Sequence, residues 1–327
     1  MYVITGGAGF IGSNIAWGLE NKGLGPLVIV DRNGGEKWRN LEKREISATI
    51  EPENLFAFLD DNADAVTAVI HMGAISATTE TDAGLIKRNN FDLSCQIWNW
   101  CAANRVRLIY ASSAATYGDG SKGFDDDPST NALRKLQPLN LYGRSKHLFD
   151  RKILRNLGDA NSQPPQWAGL KFFNVYGPHE VHKDRMSSVV SQVYPRARAG
   201  DAAVLFKSHH PDYADGGQLR DFIWVGDCVD IVLWLLDNPT VNGLFNCGTG
   251  KARSFADLAS AVYRALGREP MITFVDTPLD IRDKYQYFTE AKMERLRRAG
   301  YDKPMTELED GVAQYVNGYL DTSDPYR

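Results

Sequence analysis

The fold of this chain follows from the stretch Tyr2-Val3-Ile4-Thr5-Gly6-Gly7-Ala8-Gly9-Phe10-Ile11-Gly12-Ser13, in which an apolar strand runs into spaced glycines and then into a helix. Gly6 and Gly9 allow a tight turn and close approach of the backbone to a pyrophosphate. Gly12 lets the helix pack against the strand with its N-terminus directed at the phosphates. The stretch therefore predicts a dinucleotide-binding site. Glycines that serve helix packing alone are the alternative.

The residues that follow favour the dinucleotide site. Apolar residues three and four positions apart give the helix one buried face, and residues 27–30 make a second apolar strand. Asp31 ends this strand, 19 residues after Gly12, where the ribose of an adenosine would lie. Strand, glycine turn, helix, strand and acidic residue therefore occur in the order that dinucleotide binding requires.

The rest of the N-terminal half alternates strands with helices. Further strands are predicted at residues 65–70, 106–110 and 168–173, and they are separated by helices at residues 52–59, 84–104 and 140–157. The polar residues 32–51 are predicted to be a connection that wraps the adenosine end. Such alternation indicates an α/β fold with a Rossmann-like, doubly wound parallel sheet.

Beyond residue 174 the pattern loosens, and a smaller, interleaved substrate-binding lobe is predicted over the strand ends. The dinucleotide-binding domain is expected to comprise residues 1–173 with returning segments near 219–250 and 285–297. The substrate-binding lobe then takes residues 174–218, 251–284 and 298–327. A chain of 327 residues is long enough for such a division.

Composition and charge exclude several classes of protein. A net charge of -4 argues against nucleic acid or an anionic membrane as the main partner. No apolar run approaches the roughly 18 residues of a membrane span, and no signal-peptide pattern precedes the first strand, so we expect a cytoplasmic protein. The four cysteines form no CxxC pair and are expected to be buried and reduced.

Two polar segments raise the question of a metal site. The run Asp125-Asp126-Asp127 is predicted to be a solvated loop, because no other cluster of ligands stands near it. His209 and His210 lie in a polar loop at residues 208–217, with no third ligand at zinc spacing. We therefore predict no metal site.

A candidate catalytic pair stands on the helix at residues 140–157. Tyr142 and Lys146 are one helical turn apart and so share a face. A phenol with a pKa of about 10 is a poor base at neutral pH, but a lysine cation and an oxidised nicotinamide both favour the phenolate. Ser113, at the end of a predicted strand, can hydrogen-bond the same substrate oxygen. Together with the glycine stretch these residues predict oxidation of an alcohol; an ordinary surface pair is the alternative.

The sequence resembles the extended short-chain dehydrogenase/reductase family over essentially its whole length. The shared motifs are Gly6–Gly12, Ser113, Tyr142 with Lys146, and Phe173-Asn174-Val175-Tyr176-Gly177-Pro178. Within this family, narrower segments are similar to the epimerases that act at C6 of an ADP-linked heptose. These segments are residues 111–118, 138–143, 180–183, 186–188, 220–222, 245–250 and 299–304.

The resemblance implies an epimerase that oxidises the C6 hydroxyl of its sugar with tightly held NADP and returns the hydride to the other face. An ordinary alcohol carbon has no acidic proton, so transient oxidation to a ketone is a physical route to inversion. The family pairs its tyrosine with a second lysine as acid and base, and Lys183 stands in the matching segment. A phosphate-binding or surface cation is the alternative for Lys183.

The choice of cofactor depends on three residues. Asp31 favours the free ribose 2′-OH of NAD, whereas Arg32 and Lys37 could pair with the 2′-phosphate of NADP. The resemblance favours NADP, with NAD the alternative. It also implies that the following residues contact the cofactor: Gly6, Gly9, Phe10, Ile11, Gly12, Asp31, Arg32, Lys37, Met72, Gly73, Ala74, Ile75, Ser76, Asn89, Lys146, Val175 and Lys183.

By the same resemblance, a nucleotide-sugar substrate contacts mainly the second lobe. The implied residues are Ser113, Asn174, Arg185, Gln192, Phe206, Lys207, Ser208, His209, Arg220 and Tyr285. The chain departs from the family where Pro52 replaces a cofactor-contacting lysine and where Arg185 and Gln192 replace a small polar residue and a histidine. The loop at residues 208–217 is also longer. The family forms homo-oligomers, typically pentamers, so a homo-oligomer is expected.

Rival functions differ in their residues. A 4,6-dehydratase needs an Asp-Glu pair after the threonine that follows the strand-end serines, but Tyr117 and Gly118 follow Thr116 here. A cofactor-sensing protein without catalysis would lack the Tyr142 and Lys146 pair. Another nucleotide-sugar 4-epimerase or oxidoreductase on the same fold stays open.

Overall fold

The computed structural model of the protein describes residues 1–155, 157, 162–282 and 285–327. Its strands are β1 (Tyr2–Thr5), β2 (Leu27–Val30), β3 (Ala48–Ile50), β4 (Ala68–His71), β5 (Arg107–Ser113), β6 (Trp167–Phe172), β7 (Asn174–Tyr176), β8 (Ala203–Phe206), β9 (Leu219–Trp224), β10 (Gly243–Cys247), β11 (Ala252–Ser254) and β12 (Ile272–Val275). Its α-helices are α1 (Phe10–Asn21), α2 (Leu55–Asp61), α3 (Ala83–Ile86), α4 (Leu93–Ala103), α5 (Thr130–Lys135), α6 (Leu141–Arg155), α7 (Val189–Ala199), α8 (Val225–Asp237), α9 (Phe255–Ala265), α10 (Leu279–Arg282), α11 (Glu294–Arg298) and α12 (Leu308–Tyr315). Short 3-10 helices span Glu36–Leu41, Pro52–Asn54, Ala63–Ala65, Ala114–Tyr117 and Val181–Met186, and π-helical turns span Lys87–Asp92 and Val316–Leu320.

Seven strands of the described ranges form one parallel sheet in the order β10-β6-β5-β4-β1-β2-β3. The chain begins in the middle at β1, adds β2 and β3 on one side, and then adds the remaining strands on the other. Ligands of such sheets bind at the carboxyl ends of the strands where the order reverses, which here lies between β1 and β4. Gly6 follows β1 and Met72 follows β4, so the glycine stretch opens into this crevice. The predicted doubly wound sheet is confirmed.

The central strands are buried on both faces, which is why they read as continuous apolar runs. Successive side chains of β1 point to opposite faces. Ile4 lies in a core with Ile15 of α1, whereas the adjacent Val3 lies in a second core with Ile97 of α4 and Phe149 of α6. Helices on both faces therefore fix the glycine turn at the end of β1 from two sides.

The remaining elements build a smaller layer over the crevice. β9 pairs with β7 in parallel and with β11 in antiparallel fashion, while β8 pairs with β12. Helices α7, α9 and α12 contribute Val193, Val262 and Val312 to a separate core beside these strands. Strand β10 rejoins the main sheet beside β6, as the sequence indicated. The division into two domains with the predicted boundaries stays a prediction.

Three local predictions were wrong. Cys95 is half-buried, whereas the other three cysteines are buried as expected. Residues 32–51 are more than a polar connection, because they contain the 3-10 helix Glu36–Leu41 and the edge strand β3. The three residues of β3 are too few to show an alternating pattern in the sequence. The acidic run is not fully solvated, because Asp126 is buried, accepts a hydrogen bond from the Asn246 amide at 2.8 Å and faces Arg295 at 3.8 Å. Burial raises the pKa of Asp126 to about 6.

Candidate active site

A cleft of about 640 Å³ lies at the point where the strand order reverses. All the predicted cofactor-contacting and catalytic residues line it, from Asp31 and Lys37 at one end to Tyr142 and Lys183 at the other. The residues that line it without having been predicted are Thr5, Val30, Pro52, Leu55, Ala77, Leu93, Ala111, Ser112, Phe172, Phe173, His182 and Met186. The tertiary structure thus brings into one cleft residues that lie up to 181 positions apart, as Thr5 and Met186 do.

The glycine turn leaves no room for side chains, as a pyrophosphate cradle requires. Gly6 has a φ of 65°, and a Cβ there would stand 2.6 Å from the Gly73 Cα. A Cβ on Gly12 would stand 2.3 Å from the Gly6 carbonyl oxygen. The free backbone amides at the start of α1 face this turn and attract an anion. The geometry therefore fits a dinucleotide.

The far end of the cleft combines one acidic and two basic side chains. The Asp31 carboxylate accepts hydrogen bonds from the Ala8 amide at 3.0 Å and from Lys37 Nζ at 2.6 Å. Arg32 is exposed and forms an ion pair with Glu53 at 3.2 Å. Two cations, Lys37 and Arg32, therefore lie near Asp31, the residue that an adenosine ribose would reach.

Tyr142 and Ser113 meet at the other end of the cleft. Burial raises the pKa of the Tyr142 phenol above its usual value, a hydrogen bond with Ser113 opposes this rise, and the negative charge of Asp150 adds to it. The protein's own groups together raise this pKa, so the expectation that Lys146 and an oxidised nicotinamide favour the phenolate stays a prediction. The protein's own groups around Tyr142 therefore favour the protonated phenol.

Lys146 lies on the same face of α6 and is almost fully buried. Burial lowers its pKa to about 8, and the charge of Asp150 limits the change. Asp150 follows Lys146 by one further turn of the helix, so the helix presents phenol, ammonium and carboxylate in a row. Asp150 is a site residue that the sequence prediction missed, although its spacing from Lys146 was visible.

Asp150 belongs to a buried network that joins α6 to the ends of β5 and β6. Its carboxylate accepts hydrogen bonds from Tyr110 Oη at 3.1 Å, Ser112 Oγ at 2.7 Å and Lys171 Nζ at 3.0 Å. Neither Lys171 nor Asp150 has an exposed side chain, and Lys171 also donates to Thr116 Oγ1 at 2.6 Å. The network fixes the strand that carries Ser113 against the helix that carries Tyr142.

Lys183 approaches the cleft from the 3-10 helix Val181–Met186. It is half-buried, and its Nζ lies 5.4 Å from the centre of the Phe10 ring. Burial lowers the pKa of Lys183, and the nearby Glu180 carboxylate opposes this change. A lysine with a lowered pKa is easier to deprotonate and so better suited to exchange protons.

The residues predicted to bind substrate form two groups outside the cleft lining, apart from Ser113. Phe206 and Tyr285 make an edge contact with ring centres 6.2 Å apart, and the Arg220 guanidinium lies 5.4 Å from the Tyr285 ring. Lys207, Ser208 and His209 continue this group at the end of β8. Asn174, Arg185 and Gln192 are exposed, and the Gln192 amide donates to the Arg185 carbonyl at 3.3 Å.

His71 is a buried imidazole behind the cleft, and it supplies a test of the site's electrostatics. It accepts a hydrogen bond from Thr5 Oγ1 at 2.6 Å and donates to Ser94 Oγ at 2.9 Å, since Ser94 gives its own proton to the Asn90 carbonyl. Burial, followed by the charge of Lys146, lowers the pKa of His71 to about 3. The imidazole is therefore neutral in the folded protein well below pH 6.

We expect His71 to make the protein acid-sensitive. Below a pH of about 6.5, His71 binds a proton in the unfolded chain but stays neutral in the folded protein. The free energy of unfolding therefore falls as the pH drops toward 3. The free energy of unfolding, measured by urea denaturation between about pH 5.5 and 4, should fall less steeply in His71→Gln than in the native protein, by about 1.4 kcal/mol per pH unit. Identical slopes in the two proteins would show that His71 is charged in the fold.

Comparison with known proteins identifies relatives along the full length. The profile of the NAD dependent epimerase/dehydratase family matches residues 2–248. A Nitratidesulfovibrio vulgaris (strain DP4) protein named ADP-L-glycero-D-manno-heptose-6-epimerase is 50% identical over 329 residues, covering 100% of both chains. A protein of the same name from Fusobacterium nucleatum is 48% identical over 335 residues, again with 100% of both chains covered.

Solved structures agree with the fold. The crystal structure of Helicobacter pylori ADP-L-glycero-D-manno-heptose-6-epimerase superposes with a TM-score of 0.78 at 26% identity, covering 97% of this chain and 95% of that one. The Thermus thermophilus UDP-glucose 4-epimerase in complex with NAD gives a TM-score of 0.72 at 23% identity, which shows the shared fold, with 97% of each chain covered. In the described part of the chain, no helix is long and apolar enough to cross a membrane, and no cluster of His, Cys, Asp or Glu could hold a metal ion.

Proposed function

The chain belongs to the NAD dependent epimerase/dehydratase family, and from its site we propose in detail how it inverts C6 of ADP-D-glycero-D-manno-heptose to give ADP-L-glycero-D-manno-heptose, a precursor of the lipopolysaccharide core. The observation that carries the proposal is the pair of proton-transfer groups, Tyr142 and Lys183, on two different elements of one cleft. An enzyme that only oxidises its substrate needs one such group. An enzyme that inverts a carbon through a ketone needs a proton donor for each orientation of the oxygen.

The reaction balances without external reagents. One epimer loses the C6 hydroxyl proton to a side chain and the C6 hydrogen as a hydride with its electron pair, which leaves a 6-keto sugar. Return of the hydride to the opposite face, with a proton to oxygen, gives the other epimer. A bound nicotinamide would supply the acceptor and donor for this hydride, and a positive charge beside the phenol when oxidised.

Tyr142 and Ser113 hold the oxygen of one epimer. The raised pKa keeps the phenol protonated in the protein alone, and the approach of a positive charge brings it into the range of a base. Ser113 hydrogen-bonds the same oxygen, and the positive charge of Lys146 stabilises the phenolate. The buried network with Lys171 keeps strand and helix in place while the proton moves.

Lys183 exchanges the proton of the other epimer. Its lowered pKa supports this role, because a lysine must lose its proton at neutral pH to accept one. The Lys183 ammonium lies over the Phe10 ring, beside the glycine turn. This position supports an approach of Lys183 to the sugar from the side away from α6. The ketone can then turn within the site while the hydride donor stays fixed.

The nucleotide end of the substrate is proposed to lie on the group formed by Phe206, Arg220 and Tyr285. An aromatic pair with a guanidinium against it suits a purine base and a diphosphate. Lys207, Ser208 and His209 would extend this surface, while Asn174, Arg185 and Gln192 would contact the sugar side. Cytoplasmic location and a pentameric assembly stay predictions from the sequence and its resemblance.

Within the nicotinamide cofactors we propose NADP, because Lys37 and Arg32 flank the position of the adenosine ribose. Lys37→Met should weaken NADP binding by about 10- to 100-fold and NAD binding far less, since a charge-assisted contact to a phosphate contributes about 1.5–3 kcal/mol. Titration calorimetry on protein freed of nucleotide measures both affinities. Lys43→Met is the control, since Lys43 pairs with Asp324 outside the cleft. Equal losses for the two cofactors would contradict the assignment of Lys37.

The function is tested by incubating the purified protein with ADP-D-glycero-D-manno-heptose and no added cofactor, while the sugar proton signals are followed by NMR. Appearance of the L-glycero epimer, with nucleotide released on denaturation identified as NADP, is the expected result. No conversion by protein that holds a nicotinamide would overturn the heptose substrate. The 4-epimerase substrates would then be tested in the same way.

A further inference from the structure

The backbone that carries Lys183 is strained at both ends. His179 has a φ of 76° and Asp184 a φ of 46°, although neither is a glycine. Such conformations cost roughly 1–3 kcal/mol each and persist only where surrounding contacts hold them. The position of Lys183 between them therefore depends on the contacts that hold residues 178–184.

The side chain of Asn40 holds residues 178–184 by hydrogen bonds from the cofactor side of the cleft. Its side chain is 2% exposed, and its amide nitrogen lies 3.2 Å from the His179 carbonyl oxygen and 3.4 Å from His182 Nδ1. The same nitrogen donates to the Ala8 carbonyl oxygen in the glycine turn at 2.9 Å. One side chain thus joins the pyrophosphate turn to the residue before Lys183.

Two side chains of α1 hold the same segment at its beginning. The Asn14 amide donates to the Pro178 carbonyl oxygen at 2.9 Å. Ser13 Oγ accepts from His179 Nδ1 at 2.9 Å, because it gives its own proton to the Phe10 carbonyl. Both residues belong to the first turns of the helix whose amides face the glycine turn.

Asn40 also lies in the 3-10 helix Glu36–Leu41 that carries Lys37. This helix therefore presents one cation toward the adenosine ribose and, three residues later, the amide that holds the Lys183 segment. Asn40 does not line the cleft itself, so it acts on the reaction only through its partners.

We propose that Asn40 is a positioning residue for the second proton-transfer group, Lys183, and that it ties the placement of Lys183 to the cofactor-binding turn. The proposal rests on the two-group reaction of the proposed function. In this proposal the buried amide of Asn40 holds residues 178–184 in the strained conformation that lets Lys183 reach the substrate. Loss of Asn40 should therefore impair the half of the reaction that uses Lys183 and spare the half that uses Tyr142.

The test measures reduction of the bound nicotinamide in a single turnover with each epimer of the sugar, followed by the absorbance of the reduced ring. Lys183→Met first shows which epimer depends on Lys183. In Asn40→Ala, oxidation of that epimer should slow by about 10- to 100-fold, because a displacement of the order of 1 Å costs this much. Oxidation of the other epimer should change by less than about threefold on the same reasoning.

Gln166→Ala is the matched control. The Gln166 amide is buried and donates to the carbonyl oxygens of Leu235, Asn238 and Val241, so its loss removes a similar number of hydrogen bonds. It stands just before β6, at the end of the sheet away from the cleft. We expect lower stability with unchanged oxidation of both epimers.

Equal slowing of both epimers in Asn40→Ala would overturn the proposal, since a general loss of structure acts on both. If Asn40→Ala does not fold, Ser13→Ala replaces it, and the same one-sided loss is expected because the hydroxyl holds His179. Symmetric behaviour of that variant would overturn the proposal as well. Failure of the native protein to convert the sugar would instead overturn the proposed function, and symmetric loss in Lys183→Met would remove the two-group scheme.

Discussion

Tyr142→Phe should lower kcat for C6 inversion by about 10² to 10⁴-fold, the usual contribution of a positioned acid and base. The change removes one oxygen atom and leaves the ring that packs in the cleft. Bound nucleotide should be retained, because the glycine turn and Lys37 are untouched. The measurement is the initial rate of appearance of the L-glycero epimer by NMR, at saturating substrate.

Tyr117→Phe is the control for this experiment. The Tyr117 hydroxyl is buried and donates to Asn246 Oδ1 at 2.6 Å, but Tyr117 does not line the cleft. Its loss should lower stability and leave kcat within about threefold, since no reacting group is affected. If Tyr142→Phe kept more than about a tenth of the native rate, Tyr142 would not be the acid and base of this site.

The second large effect is expected on stability. Lys171→Met should lower the free energy of unfolding by about 3–5 kcal/mol, because Asp150 is left buried and charged without its ion-pair partner. Urea denaturation followed by circular dichroism gives the difference, with the native protein under the same conditions as reference. The variant should also shift the pH dependence of kcat, since the Asp150 charge acts on both Lys146 and Tyr142.

A double variant separates the lost ion pair from the lost volume. Lys171→Met combined with Asp150→Leu removes both charges, so its loss of stability should be smaller than the sum of the two single losses by at least about 1 kcal/mol. Strict additivity would show that the two charges do not stabilise each other in the fold. The double variant should still be slow, because Ser112 loses its hydrogen-bond partner and Lys146 loses the nearby negative charge of Asp150.

The sequence predicted the parts of the site that depend on local pattern. The glycine turn and Asp31 follow from strand, turn and helix signals within one unit of the fold, and all the residues predicted to contact cofactor line one cleft. The Tyr142 and Lys146 pair follows from helical spacing. Whether these residues bind and react as predicted is what the experiments above test.

Other features depended on contacts between distant segments, and the sequence pattern did not contain them. Lys171 meets Asp150 because β6 lies beside β5 under α6, and Asn40 reaches His179 across 139 residues. Asp126 looked solvated in its acidic run, yet the chain folds over it and pairs it with the Asn246 amide. Such contacts carry no local period that could reveal them.

The amino-acid sequence by itself determined the doubly wound sheet and predicted the nucleotide turn and the reacting groups, because hydrophobic period and helical spacing are properties of neighbouring residues. Only the tertiary structure decided the direction in which the pKa values of those groups shift and the contacts that support Lys183. Burial raises the pKa of Tyr142 and lowers that of Lys146 and Lys183, and burial is set by all the elements that pack around a side chain. The turn that carries Lys183 is likewise held by contacts from α1 and the 3-10 helix Glu36–Leu41, which lie far from it in the sequence.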